Sequence, residues 1–263
     1  MVASAPADLP VLMYHELLGP GRSPVRPDAG YRRYVIGDDV FRSHLEAIRT
    51  CDARGVALDS VPEPSPQRRV AITFDDGCAS DLDVAAPALE AAGFGATFFI
   101  TVDWLDTPGF LTRAALRELA ALGFEIGSHS LSHAYLAGLP NLQLQRELAE
   151  SRARLEQIAG VAVRRFSCPG GRWDANVARV ARDAGYIAVA DSTPVSWRSD
   201  GDPYRIGRYA ITERTSAADV RRLVQDGTWV RSGMKSFVLQ TAKAVLGDRL
   251  YDRARRMLLE RGA

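Results

Sequence analysis

Val70-Ala71-Ile72-Thr73-Phe74-Asp75-Asp76-Gly77 is an apolar β-type run that ends in two adjacent carboxylates and a glycine. A strand apolar on both faces belongs in a parallel sheet covered by helices. Outward from it, short apolar runs over residues 11–14, 56–59, 96–101, 125–128, 165–168, 187–191 and 205–211 alternate with amphipathic stretches. Those stretches cover 39–53, 81–92, 113–122, 142–158, 175–184 and 217–226. Gly93, Gly123, Gly160 and Gly185 each follow a last apolar helical position, where a left-handed glycine is the common helix stop. The seven or eight βα units over residues 10–226 predict an α/β fold, a TIM-like barrel. A Gly/Pro-rich loop at 19–30 and a Pro-rich connector at 62–66 interrupt the alternation.

No internal repeat or domain boundary divides this stretch. The chain reads as an N-terminal tail (1–9), a barrel (10–230) and a C-terminal segment (231–263). In that segment Phe237, Val238, Ala242, Val245, Leu246, Leu250, Met257 and Leu258 recur with rough helical spacing among arginines. An amphipathic helical appendix is expected there, packed on the barrel or a partner, or resting on an anionic membrane surface.

Of 263 residues, 46% are hydrophobic and 25% charged, which is ordinary globular composition. The formal net charge of +1 lacks the basic excess of a nucleic-acid binder, so no such partner is expected. Three widely spaced cysteines, Cys51, Cys78 and Cys168, are no disulfide framework. Residues 1–10 show no secretory signal pattern, and no run of about 18 apolar residues occurs. The expected location is the cytoplasm, or the inner membrane face if the C-terminal helix docks there.

In a parallel barrel the C-terminal end of a strand faces the active site. Adjacent Asp75 and Asp76 repel each other unless a cation or proton compensates, although Asp-Asp-Gly is also ordinary turn chemistry. The second motif, Gly127-Ser128-His129-Ser130-Leu131-Ser132-His133, follows another apolar run. The chain has only four histidines, His15, His44, His129 and His133, and two of them fall within five residues. At i and i+4 on a helix both imidazoles share one face and can chelate one ion. Asp76, His129 and His133 therefore read as ligands of one divalent metal ion. Zn²⁺ suits them best, with Co²⁺ or Ni²⁺ as alternatives. Asp75 is left as a base.

Thr73-Phe74-Asp75-Asp76-Gly77 and His129-Ser130-Leu131-Ser132-His133 resemble the first two signatures of the polysaccharide deacetylases, the NodB-homology domain of carbohydrate esterase family 4. The resemblance implies a distorted (β/α)7 barrel with Asp75 as catalytic base and Asp76, His129 and His133 on the metal. It implies hydrolysis of the acetamide of an N-acetylated saccharide. The family's third signature is nearest to Arg165-Phe166-Ser167-Cys168-Pro169-Gly170-Gly171-Arg172-Trp173. Ser167 stands where many members carry an Arg that braces the catalytic Asp, and Gly170 replaces an aromatic. The Gly170 N–H can still donate to an oxyanion. Cys168 and Arg172 are its neighbours at the substrate site, and Arg165 or Arg172 is the candidate replacement brace. Trp197, in a loose echo of the fourth signature, lines the sugar groove or joins the core.

The fifth signature carries a histidine that protonates the leaving amine, and no histidine follows His133. Met13-Tyr14-His15 resembles a permuted subgroup in which that acid sits on the N-terminal strand. His15 is therefore the candidate acid, while His44 reads as an undistinguished surface histidine. The alternatives are a hydrolase of another linear or cyclic amide on the same barrel, and a degenerate saccharide-binding barrel.

Overall fold

The computed structural model describes residues 8–19, 21–60, 67–198 and 200–229. The predicted C-terminal helix and the N-terminal tail up to residue 7 lie outside the described residues. The chain opens with β1 (Val11–Tyr14), β2 (Leu17–Leu18), α1 (Ala29–Arg32), β3 (Ile36–Gly37), α2 (Asp38–Arg49), β4 (Ala53–Val56) and β5 (Arg68–Phe74). A short π-helical turn, Asp81–Ala85, leads into α3 (Ala86–Ala92), followed by β6 (Thr97–Ile100). Next come a 3₁₀ turn at Val102–Trp104, α4 (Arg113–Ala121), β7 (Glu125–Ser128) and α5 (Asn141–Ala159). The rest is β8 (Arg165–Ser167), α6 (Ala175–Asp183), β9 (Ala188–Ala190), β10 (Tyr209–Ala210) and α7 (Ala217–Asp226).

The main sheet is parallel throughout and runs β10-β1-β5-β6-β7-β8-β9, with β4 beside the start of β5. Its two ends meet. Ile206 bridges Ala190 at the end of β9, and three residues later Tyr209 pairs with Leu12 of β1. This is the curled α/β barrel architecture expected from the alternation. The strands are short and buried on both faces, as the unbroken burial of β1 and β6 shows. Leu12, Tyr14, Ile72, Phe74, Phe98 and Ile100 point outward into the layer under the helices. Val11, Ala71, Phe99, Ala188, Ala190 and Ile206 form a smaller inner cluster.

Local chemistry places the helix ends. Gly93 and Gly160 stop α3 and α5 with φ of 68° and 72°. Ser216 and Asp219 form a reciprocal capping box on α7, satisfying two end donors at once. Two expectations need correction. The run predicted at 56–59 pairs instead over Ala53–Val56, and part of the predicted 19–30 loop folds into α1, capped by Asp28. A two-residue parallel ladder, Leu17–Leu18 with Ile36–Gly37, closes that excursion.

His44 is not a surface histidine. It is fully buried where α2 meets α7. Its Nε2 lies 3.2 Å from the Thr215 carbonyl, which can only accept, so Nε2 carries the proton and Nδ1 accepts from the Tyr14 hydroxyl at 3.2 Å. Burial lowers the His44 pKa below its ordinary value. The unfolded chain then binds a proton that the folded chain refuses. The stability this neutral histidine contributes is present above pH about 6.5 and is lost as pH falls below that. The slope is at most about 1.4 kcal/mol per pH unit. His44→Gln is expected to remove this share of the slope in urea unfolding followed from neutral to mildly acid pH. An unchanged slope would assign the effect elsewhere.

Candidate active site

The two carboxylates leave β5 at the C-terminal end of the barrel. The last registered pair there is Tyr14 with Phe74, and the Asp75 N–H donates to the Tyr14 carbonyl at 3.0 Å. His15, one residue further along β1, thus arrives beside Asp75. Asp76 and Gly77 then take φ of 87° and 83°. For a non-glycine residue this left-handed region is unfavourable and is tolerated mainly where function demands a direction.

His129 and His133 come together on a loop rather than on the helix expected from their spacing. Ser130 and His133 have φ of 73° and 63°, which breaks any helical turn. The loop's backbone donors go to Glu147 of α5, which accepts from the Leu131 and Ser132 N–H groups at 3.0 Å each and from the Ser132 hydroxyl at 2.6 Å. On its other side Val102 and Asp103 donate to the Ser130 and Leu131 carbonyls. A loop with left-handed Ser130 and His133, rather than a helix, brings the two histidines together.

The ligand atoms of Asp76, His129 and His133 all lie within 4.8 Å of one another. Asp76 Oδ1 is 3.5 Å from His129 Nε2 and 3.4 Å from His133 Nε2. Tetrahedral ligands at 2.0–2.1 Å from an ion sit about 3.4 Å apart, so these separations fit one small divalent cation. Asp76 Oδ1 is buried with no hydrogen-bond partner among the described residues, a costly state unless a cation completes it. The His129 Nδ1 lies 2.9 Å from the Ser167 carbonyl. That carbonyl accepts the Nδ1 proton and leaves the Nε2 lone pair toward Asp76, the usual orientation of a metal-ligating imidazole. Burial, against the pull of Asp75, lowers the His129 pKa to about 4, so the ring is neutral at pH 7. Trp104 stacks on His133 with ring centroids 4.6 Å apart.

Asp75 has a brace that sequence reasoning missed. Arg208 rises inside the barrel from the turn before β10 and grips both Asp75 oxygens, at 2.7 and 2.8 Å. The same guanidinium bonds the Ser167 hydroxyl at 2.7 Å, Thr73 Oγ1 at 3.2 Å and, through Nε, the Asp191 carbonyl at 2.9 Å. Ser167 in turn donates to Asp75 at 3.1 Å. Burial alone would push Asp75 up. The Arg208 charge, aided by His129, outweighs burial and holds the carboxyl well below the usual range. The expected substitutes are elsewhere: Arg165 pairs with Glu125, and the Arg172 guanidinium lies over the Tyr135 ring at 4.4 Å.

His15 stacks on Tyr34 at 4.8 Å and has a buried Nδ1 with no partner among the described residues. Burial lowers its pKa while Asp76 and Asp75 pull it upward, which places the ring within the field of both carboxylates. Gly170 is exposed at the end of β8 with φ of 61°. A Cβ there would lie 2.6 Å from the Tyr135 ring. The ring beside this turn therefore comes from the His133 loop, and it is 45% exposed.

Two expected contacts are not at the mouth. Cys168 is fully buried. Its N–H and carbonyl are taken by Ala190 and Gly171, and burial pushes its thiol pKa upward. Trp197 forms a bridge to Leu9, before β1 begins, and packs on the inner cluster. Six residues of extended chain separate Leu9 from His15, about 20 Å. Trp197 thus closes the opposite end of the barrel.

The polysaccharide deacetylase family model matches residues 63–189. YxkH of Bacillus subtilis is 26% identical over 216 residues, covering 81% of this chain and 75% of that protein. The chitooligosaccharide deacetylase of Sinorhizobium fredii is 27% identical over 164 residues, covering 60% of this chain and 68% of that protein. The solved structure of the Streptococcus pyogenes deacetylase PplD superposes with a TM-score of 0.74 at 18% identity. It covers 84% of this chain and 99% of that one, a likeness of fold.

Proposed function

Since residues 63–189 match the polysaccharide deacetylase family model, we propose that the chain is a metal-dependent de-N-acetylase. Its substrate on this reading is an N-acetylated amino sugar, of the N-acetylglucosamine type, in a glycan, glycolipid or glycosylated metabolite. The observation that carries this reading is Asp76 Oδ1, buried without a partner among the described residues and 3.4–3.5 Å from two imidazole nitrogens. The mixed N and O donor set suits Zn²⁺, and also Co²⁺ or Ni²⁺. A bound ion would polarise the acetamide carbonyl and lower the pKa of an attacking water.

The chain's own residues divide the remaining work. Asp75 accepts the proton of the attacking water. Arg208 keeps it ionised at neutral pH and fixes its plane, so the carboxylate meets the water in one orientation. The Gly170 N–H is the candidate donor to the oxyanion, a role that needs no side chain. His15 delivers a proton to the departing sugar nitrogen, because an amine anion is too poor a leaving group. Burial weakens the hold of His15 on its proton, which makes its protonated form a stronger acid than free imidazole.

Acetate release from N-acetylated chitooligosaccharides, with Zn²⁺, Co²⁺ and Ni²⁺ added in turn, tests the proposal. Activity is expected to disappear on chelation and return with one of these ions, and His129→Ala is expected to lose both bound metal and activity. Protein that binds none of the three ions, or that releases acetate equally well after chelation, would overturn it.

A further inference from the structure

A cavity lies outside the barrel, between the Val102–Trp104 turn and helices α4 and α5, with a volume of about 570 Å³. That is the size of a small-molecule site. Arg113, Arg117 and Arg154 line it over apolar Val102, Leu105 and Ile158. Two of the arginines are partly compensated. Arg113 lies 3.1 Å from Asp106, and Arg154 lies 3.1 Å from Glu150 and 3.8 Å from Asp103 at the cavity wall. Arg117 has no ion-pair or hydrogen-bond partner among the described residues. Three guanidinium groups, one of them without a counter-charge among the described residues, favour an anion over a cation here. Guanidinium forks match phosphate and carboxylate geometry, and the apolar floor suits a carbon skeleton carrying such a group.

The wall of this cavity is also a brace of the metal-ligand loop. Val102 and Asp103 donate to the Ser130 and Leu131 carbonyls at 3.3 and 2.9 Å, and Trp104 stacks on His133. The cavity and the candidate metal centre thus lie on opposite sides of one three-residue turn.

Taking the sugar from the de-N-acetylase reading above, we propose that the cavity binds an oxyanion-bearing saccharide, a sugar phosphate or sugar carboxylate, with Arg117 as its principal contact. The anionic sugar can be part of an extended substrate or a separate effector. Glucose 6-phosphate is the probe, titrated calorimetrically into the full chain after chelation of metal, so that phosphate binding at the metal centre does not contribute. Saturable binding is expected, absent with glucose and weakened at least about 10-fold in Arg117→Glu, the cost of one charge-assisted contact. Binding undiminished in Arg117→Glu would overturn the proposal, as would no binding at millimolar concentration. Inorganic phosphate binding as tightly as the sugar phosphate would overturn the assignment of a saccharide. Acetate release from neutral chitooligosaccharides, with and without glucose 6-phosphate, separates the two sources. Stimulation or inhibition without competition marks an effector, and simple competition marks a substrate subsite. The primary readout is binding rather than turnover, so it can fail while the deacetylase reading stands, and the converse also holds.

Discussion

Asp75→Asn is expected to lower acetate release by about 10²- to 10⁴-fold, the usual contribution of a positioned general base, while the protein still binds its metal. The substitution keeps the shape of the side chain and removes its proton affinity. On the proposed reading Asp76, His129 and His133 hold the metal, so the ion should be retained in stoichiometric amount. Some stability is expected to be lost, because Arg208 is fully buried and grips both Asp75 oxygens, and a buried cation without its partner is costly. Acetate release by Asp75→Asn within a few-fold of the parent would remove Asp75 from the base role. Loss of activity together with loss of metal would show a structural collapse of the centre instead.

Arg208→Met should produce the largest loss of stability, about 3–5 kcal/mol, since it leaves the Asp75 carboxylate buried and unpaired. It should also reverse the sign of the Asp75 contribution. With Arg208 present the folded pKa lies well below the ordinary value, which is about 3.9. The ionised pair then stabilises the fold above that ordinary value, and the stability is lost as pH falls through the depressed one. Without Arg208, burial dominates and Asp75 takes up a proton above its ordinary pKa, so the variant is relatively more stable in acid and the acidic limb of activity moves to higher pH. Arg208→Lys restores the charge without the two-pronged grip and should recover only part of either property. The double variant Asp75→Asn/Arg208→Met should lose much less stability than the sum of the two singles. Strict additivity in urea unfolding would show that the two side chains do not act as a pair.

Much of this site was legible in the residues themselves. An apolar run ending in Asp75-Asp76 places both carboxylates at a strand end, and two of four histidines within five residues mark a candidate chelating pair. The geometry of that pair was not legible. Helical spacing suggested the right neighbours for the wrong reason, since the loop is shaped by left-handed Ser130 and His133 and by the Glu147 carboxylate from α5. Arg208 left a faint signal, a lone cation at the inward parity of a run otherwise made of Ile206 and Ala210. Nothing within that run says which acid the charge meets, because Asp75 lies 133 residues away. His44 gave no signal at all, because its partners Tyr14 and Thr215 are 30 and 171 residues away.

The sequence by itself determined the βα alternation, the helix stops and the chemical identity of the candidate metal-ligating side chains. Periodicity, capping and residue type act over a few neighbouring positions, and one chain segment suffices to express them. Tertiary structure alone decided which arginine neutralises Asp75, which ring lies beside Gly170 and which end of the barrel Trp197 closes. Closing the parallel sheet brings Thr73, Asp75, Ser167 and Arg208 to one interior point, from strands separated by up to 135 residues. A buried charge is stable only beside its counter-charge, and the barrel's closure determines which residue that is.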